Sequence, residues 1–186
     1  MVKLNKIYTR GGDSGESGLV DGSRLHKNHA RFAAIGDVDE ANTTIGLARV
    51  ALLDRSTANR FLAGVQNDLF DLGADLATPG EVEGALRLGE GRAVSLEAEI
   101  DAMSEQLGPL TSFVLPGGTE AAARLHMARA QVRRAERTVV QLNAESPLNP
   151  EILKYLNRLS DLLFQLARSQ NEMGKADILW KPGGGA

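Results

Sequence analysis

Arg124-Leu-His-Met-Ala-Arg129-Ala-Gln-Val-Arg133-Arg134-Ala-Glu136-Arg137 places five arginines in fourteen residues. At about 100° per residue on a helix, Arg129, Arg133 and Arg137 step by four and stay within roughly 80° of one another. Leu125, Ala128, Val132, Ala135, Val139 and Leu142 form the neighbouring apolar stripe. The stretch therefore predicts a helix with one buried face and a cationic ridge along its edge. Only Glu136 lies within the cluster to offset the charge. Guanidinium groups are always charged and offer a rigid fork of donors suited to phosphate and carboxylate oxygens. Two readings stand at this point. The ridge is a solvated face with i,i+4 charge pairs, or it takes its counter-charge from a carboxylate on another element or from a polyanionic ligand.

On either side of this helix the pattern is helical as well. Thr119 is its expected N-cap, with Glu120 in the first turn, where negative charge suits the dipole. Downstream, Asn149 caps a last helix with Pro150 in its first position, and Ile152, Tyr155, Leu156, Leu159, Leu163 and Leu166 form its core stripe. A second seam of that helix carries Asn157, Asp161, Phe164 and Arg168. Upstream, Leu62, Val65, Leu69, Leu72 and Leu76 mark a helix over 57–77 that Pro79-Gly80 ends. A helix over 31–53 carries Phe32, Ile35, Val38, Ile45, Leu47, Val50 and Leu53, with close packing expected at Gly36 and Gly46. A shorter helix follows Ser95 as N-cap, and Gly108-Pro109 stops it. No run alternates as a strand should. The expected fold is all-α, an antiparallel bundle of four or five helices, with an irregular glycine-rich N-terminal segment over 1–30, the bundle over 31–180 and a flexible tail over 181–186.

Composition bounds the chemistry. Hydrophobic residues make up 42% and charged residues 24%, as in ordinary globular chains. The net charge of −3 argues against nucleic acid as a partner. No apolar run approaches the roughly 20 residues of a membrane span, and Met1-Val-Lys-Leu-Asn-Lys6 has no secretory h-region; a cytoplasmic protein is expected. The chain has no cysteine, which excludes disulfides, thiol nucleophiles and zinc–thiolate sites. Its three histidines, His26, His29 and His126, have no acidic residue three positions before them, so a di-metal bundle site is not expected. His26 and His29 read as surface loop residues, His126 as a satisfied histidine in or near the core. Lys3, Lys6 and Arg10 make the first ten residues locally basic. Thr9-Arg10-Gly11-Gly12-Asp13-Ser14-Gly15-Glu16-Ser17-Gly18 lacks the Lys-Ser/Thr of a phosphate-binding P-loop; it is an anion-binding nest or an ordinary loop, with a Gly/Ser density that argues against order without ligand. Phe113, before a Pro-Gly-Gly turn, reads as a loop anchor in the core. Asp37, Asp39 and Glu40 are the natural ion-pair partners for unmatched arginines.

Five blocks in order carry a resemblance: Lys6-Ile-Tyr-Thr-Arg10-x-Gly-Asp13-x-Gly15; Gly-Asp37-Val-Asp39-Glu; Leu-Pro116-Gly-Gly118; Leu125-His-x-Ala-Arg129-x-x-x-Arg-Arg-Ala-Glu-Arg137; and Tyr155-Leu-Asn-Arg-Leu-Ser-Asp161-Leu-Leu-Phe. Together they resemble the PduO-type ATP:cob(I)alamin adenosyltransferases from about residue 6 to Trp180. The resemblance implies transfer of the 5′-deoxyadenosyl group of ATP to the cobalt of cob(I)alamin, giving adenosylcobalamin and triphosphate. It also implies an all-α, antiparallel five-helix bundle of the ferritin-like kind that forms a homotrimer with active sites between subunits. Thr9, Arg10, Gly11, Gly12, Ser17, Gly18 and Lys27 would close over ATP, with Arg133, Arg134, Glu136, Arg137 and Asn157 completing that site. Arg129 and Asp39 would form an intersubunit salt bridge beside the corrin, and Phe113 would sit at its lower face and exclude the axial base. Mg²⁺ would be held mainly by the ATP phosphates. Arg133, Arg137, Asn157 and Phe113 are the residues expected to matter for turnover. An alternative is a carrier that delivers adenosylcobalamin to a client enzyme. Three positions depart from the family pattern: Gly11 stands where Thr is usual, Glu16 where a neutral residue is common, and Ala41 where Leu is common. Glu16 places negative charge near the expected phosphates unless it points away.

Overall fold

The computed structural model describes residues 7–54 and 56–184. Lys3, Lys6 and the end of the tail lie outside the described residues. Five helices follow a small hairpin: β1 (Glu16–Gly18), β2 (Arg24–His26), α1 (Ala30–Ala51), α2 (Thr57–Leu76), α3 (Arg92–Ser104), α4 (Glu120–Glu145) and α5 (Pro150–Ser169). None of these helices is long and apolar enough to cross a membrane. The hairpin corrects the expectation of an irregular start. Its antiparallel strands pair Glu16 with His26 and Gly18 with Arg24, and three-residue strands are too short for alternation to reveal them. The Asp21 carboxylate closes the turn by accepting from the Ser23 N–H and hydroxyl, which holds its pKa below the ordinary value.

Local chemistry sets the helix starts. Thr119 Oγ1 accepts from Ala122 N and Asn149 Oδ1 from Glu151 N, as their positions in the sequence predict. Ser56 does the same for α2. His29, read as a loop residue, is the N-cap of α1: its Nδ1 accepts from Arg31 N. α3 begins at Arg92, not after Ser95. Gly91 supplies the left-handed turn before it (φ 87°), and the Ser95 hydroxyl turns back to the Arg92 carbonyl.

α1 runs antiparallel to both α2 and α4, and α4 runs antiparallel to α5. Arg49 meets Asn59 across α1–α2, Asp37 meets Arg134 across α1–α4, and Glu136 meets Asn157 across α4–α5. α3 lies beside α5 in the same sense, joined by Glu97–Arg158 and Ser104–Gln165. The α2, α4 and α5 stripes are buried as predicted. α1 differs: its buried face is Ala34, Val38, Ala41, Ile45 and Ala48, while Leu47, Val50 and Leu53 are exposed. Small side chains on this face let α1 lie close to α4, where Ala128 and Ala135 answer them. Ala41, where Leu is the commoner choice, is fully buried in this contact. Of the two α1 glycines, Gly46 is close-packed, 3.3 Å from Gln66 at the place of a Cβ; Gly36 faces open space.

Two polar knots close the end of the bundle where α1 and α5 begin. Arg31, buried to 3% exposure, donates to the Leu76 carbonyl and to Ser146 Oγ, at the C-terminal ends of α2 and α4. Those dipole ends supply the partial negative charge that a buried cation needs, and burial still pulls its pKa down. Asp75, also buried, accepts from Arg87, from Leu88 N and from Asn149 Nδ2. These groups line a cleft of about 650 Å³, and their bonds to one another make it a structural joint.

Candidate active site

On α4 the arginines divide. Arg134 leans toward α1 and pairs with Asp37 at 3.0 Å and Glu40 at 3.4 Å, while Thr138 donates to the same Asp37 carboxylate. The expected acidic partners are thus on α1, for one arginine. Arg133 and Arg137 are exposed and make no ion pair among the described residues. Arg137 donates only to the Arg133 carbonyl, 3.1 Å away. Glu136, between them, accepts from Asn157 Nδ2 at 2.9 Å. Arg158 Nη1 donates to Asn157 Oδ1 at 2.6 Å, and its Nε to Glu97 at 2.7 Å. This chain fixes which way the Asn157 amide faces. Arg158, which periodicity did not single out, is the residue that orients it, and the Glu97 contact raises its pKa.

One turn toward the start of α4, Arg129 lies over the Phe164 ring at 5.4 Å. Burial, then Arg133, lower its pKa, and Asp161 opposes them; a guanidinium stays charged under such shifts. Arg129, Phe164, Asp161 and Phe113 line a cleft of about 490 Å³. Phe113 does not anchor the loop in the core: its side chain is 77% exposed. Asp39 lies elsewhere, in a groove of about 440 Å³ between α1 and α2 with Phe32, Ile35 and Phe70. Asp39 and Arg129 form no ion pair within the chain.

His126 departs from the expected satisfied histidine. It is 3% exposed, packs against Phe164, and neither ring nitrogen has a hydrogen-bond partner. Burial lowers its pKa below 6.5, Arg129 lowers it further, and Asp177 opposes them. The unfolded chain therefore binds the proton more readily. Above pH 6.5 the neutral ring carries no penalty; stability is lost as pH falls through the unfolded value toward the folded one. The expected outcome is a urea midpoint that falls between pH 7.5 and 5.5 more steeply in the parent than in His126→Phe; equal slopes contradict it.

The N-terminal candidates gather in one loop. Lys27 N–H donates to Gly15 O, and the Lys27 ammonium stands 2.9 Å from where a Gly12 Cβ would be. Gly11 N–H donates to Thr9 Oγ1. Arg10 takes a left-handed backbone, φ 61°, and its guanidinium lies over Tyr8. Ser17 and Gly18 belong to β1. Glu16 points at Arg24, with 3.7 Å between the charged atoms. Arg24 also donates to the Gly11 carbonyl at 2.6 Å and the Glu16 carbonyl at 3.3 Å. The Glu16 departure is thus a partner for Arg24, a loop organiser absent from the expected set. Gly12→Ala displaces the Lys27 ammonium; with the loop closing over ATP as the resemblance implies, the expected result is a KM for ATP raised about tenfold with an unchanged melting temperature, and an unchanged KM contradicts that role.

The strands pair with each other and pack broadly against no helix. Val20 N–H ties them to Ala77 O at the end of α2. No cluster of three or more His, Asp or Glu side chains forms a candidate metal site among the described residues.

The family profile described as cobalamin adenosyltransferase matches residues 7–170. A corrinoid adenosyltransferase of Mycobacterium tuberculosis H37Rv is 47% identical over 188 residues, covering 98% of this chain and 96% of that protein. A cobalamin adenosyltransferase of Cupriavidus metallidurans is 44% identical over 180 residues, covering 96% of each. Among solved structures, a phenylalanine-to-alanine variant of the PduO-type ATP:corrinoid adenosyltransferase of Lactobacillus reuteri, complexed with cobalamin and ATP, matches with a TM-score of 0.88 and 38% identity, over 95% of this chain and 99% of that one. An arginine-to-lysine variant of the same enzyme with ATP matches with a TM-score of 0.86 and 38% identity, over 94% of this chain and 100% of that one.

Proposed function

The chain belongs to the cobalamin adenosyltransferase family, and from that membership we infer that it is an ATP:corrinoid adenosyltransferase, moving the 5′-deoxyadenosyl group of ATP to the cobalt of cob(I)alamin. The observation that carries this reading is the pair of exposed arginines without acidic partners, Arg133 and Arg137, beside the oriented Asn157 amide and one turn from the cleft of Arg129 and Phe113.

The chemistry suits these groups. Cobalt(I) is itself the nucleophile and attacks the ribose C5′; the C5′–O bond breaks and triphosphate leaves with the electron pair. No general base is required. The need is for cations and N–H donors where negative charge builds on the leaving oxygen. Arg133, Arg137 and Lys27 supply the cations, and the loop of Thr9, Arg10, Gly11 and Gly12, continued by Ser17 and Gly18, supplies the backbone cradle. Asn157 and Glu136 complete the nucleotide contacts. Mg²⁺ travels with the phosphates. Arg134, already paired with Asp37 and Glu40, joins the phosphates only by exchanging those partners. Phe113 presents an apolar ring to the lower corrin face, favouring four-coordinate cobalt(II), which is easier to reduce.

We assign the working form as a homotrimer. The hairpin packs broadly against no helix, Leu47 and Val50 of α1 and Leu53 just beyond it are exposed, and Asp39 makes no ion pair with an arginine among the described residues. A second copy covers such apolar surface and brings Asp39 to a neighbour's Arg129. The cytoplasm, where ATP is plentiful, is the proposed setting. Anaerobic mixing with ATP, Mg²⁺ and reduced cobalamin tests the reading: the expected result is the spectrum of the cobalt–carbon product. No product, with tight binding of adenosylcobalamin, would favour the carrier role with an adenosylcobalamin-dependent client.

A further inference from the structure

After α5 the chain turns back along the end of the bundle where α4 begins. Glu172 and Met173 take left-handed backbone conformations, φ 52° and 54°. Two such residues in succession persist only where the surroundings over-determine them. Here the surroundings are polar and buried. Arg168 Nε donates to Asp177 Oδ2 at 2.8 Å, with both side chains almost wholly buried, and Arg168 Nη2 donates to the Gly108 carbonyl. The Asn171 amide, 1% exposed, accepts from Thr119 N and donates to Gly117 O and Asp177 Oδ1. It fills the space beside Gly118 (φ 98°), where a Cβ would stand 2.1 Å from Asn171 Oδ1.

The strap held this way then pairs with the loop that carries Phe113. Leu115 N–H donates to Ile178 O at 2.7 Å and Trp180 N–H to Phe113 O at 2.8 Å. Ser112 Oγ donates to Trp180 O, and the Trp180 ring meets the Phe113 ring at 5.9 Å and 62°. The Phe113 ring itself is largely exposed, so the core does not hold it. Its position depends on the strap.

We propose that residues 171–180 form a clasp that sets the Phe113 ring at the cleft, with Asn171, Asp177 and Trp180 as its positioning residues. The catalytic consequence rests on the adenosyltransferase reading: an apolar wall displaces an axial ligand only if its distance from the corrin is fixed. A loosened clasp therefore lowers the four-coordinate fraction and the rate while leaving ATP binding alone.

The full-length protein labelled with fluorophenylalanine gives a direct readout, because it has five phenylalanines and Phe113→Leu assigns one resonance. In Asp177→Asn and in Trp180→Ala the Phe113 resonance is expected to shift and sharpen toward the mobile limit while the other four stay in place. Trp180 is partly exposed beyond the last helix, so its loss leaves the bundle folded. In turnover, both variants lose about tenfold to a hundredfold in kcat with KM for ATP unchanged, and Trp180→Phe recovers most of the rate. An unmoved Phe113 resonance overturns the clasp whatever the activity. A mobile ring with unchanged kcat, or equal loss in Trp180→Phe and Trp180→Ala, overturns its positioning role. Absence of product from the parent protein refutes the adenosyltransferase reading instead, and the resonance still decides the clasp.

Discussion

Arg133→Ala is expected to lower kcat/KM for adenosyl transfer by about a hundredfold to a thousandfold with no change in helix content or melting temperature. The side chain is exposed and holds no ion pair, so its removal strands no charge. Arg137 bonds the Arg133 backbone carbonyl, which alanine retains. No neighbour replaces the lost fork: Arg134 faces Asp37 and Glu40 on the other side of the helix, and Arg129 lies over Phe164. Lysine restores a point charge without the bidentate geometry, so Arg133→Lys falls between parent and alanine. Steady-state kinetics with a parallel urea melt check this. A loss of more than about 1 kcal/mol in stability would make Arg133 a structural residue.

The second large effect is on folding. Asp75→Ala removes the acceptor shared by Arg87, Leu88 N and Asn149, and leaves a guanidinium and two N–H donors in a buried joint. Breaking a buried pair from one side costs about 3–5 kcal/mol, or roughly 10 °C in melting temperature for a chain of this size. Arg87 is one-third exposed and recovers some hydration, which holds the loss toward the lower figure. The melt is to be taken at one fixed protein concentration, because assembly also stabilises. A loss below about 1 kcal/mol would show the joint to be ordinary surface.

What the sequence revealed, and what it hid, follow from the range of each interaction. α4 and α5 are readable because Thr119 and Asn149 cap helices two or three residues away and their apolar residues recur at unbroken helical spacing. α1 is only partly legible: Val38 and Ile45 are buried as their spacing predicts, but Ala34, Ala41 and Ala48 complete the buried face, while the larger Leu47, Val50 and Leu53 point outward. No periodicity announces the hairpin, because Arg24 reaching the Gly11 and Glu16 carbonyls helps order strands only three residues long. Within the site, the cationic ridge was visible from spacing. Its division was not, since Arg134 turns away only because Asp37 and Glu40 arrive from α1. Arg158, Asp75 and the Asn171–Asp177 clasp act between segments far apart in the chain, and no local pattern announces them. His126 is buried as its place beside the apolar stripe suggests, but its unpaired nitrogens are a property of packing. The link to cobalamin came from five sequence blocks; helical spacing alone supports only an anion-facing ridge.

In the proposed homotrimer the glycine-rich hairpin of one copy and the arginine helix of another complete one active site. Co-assembly of two inactive variants tests it most directly. Lys27→Ala spoils the hairpin contribution and Arg133→Ala the helix contribution, so each homotrimer is expected to be inactive. If sites lie between subunits, randomly mixed trimers regain about a quarter of the parental activity, because that fraction of interfaces pairs an intact hairpin with an intact helix. Mixed assemblies as inactive as their parents would contradict the account and place the whole site within a single chain.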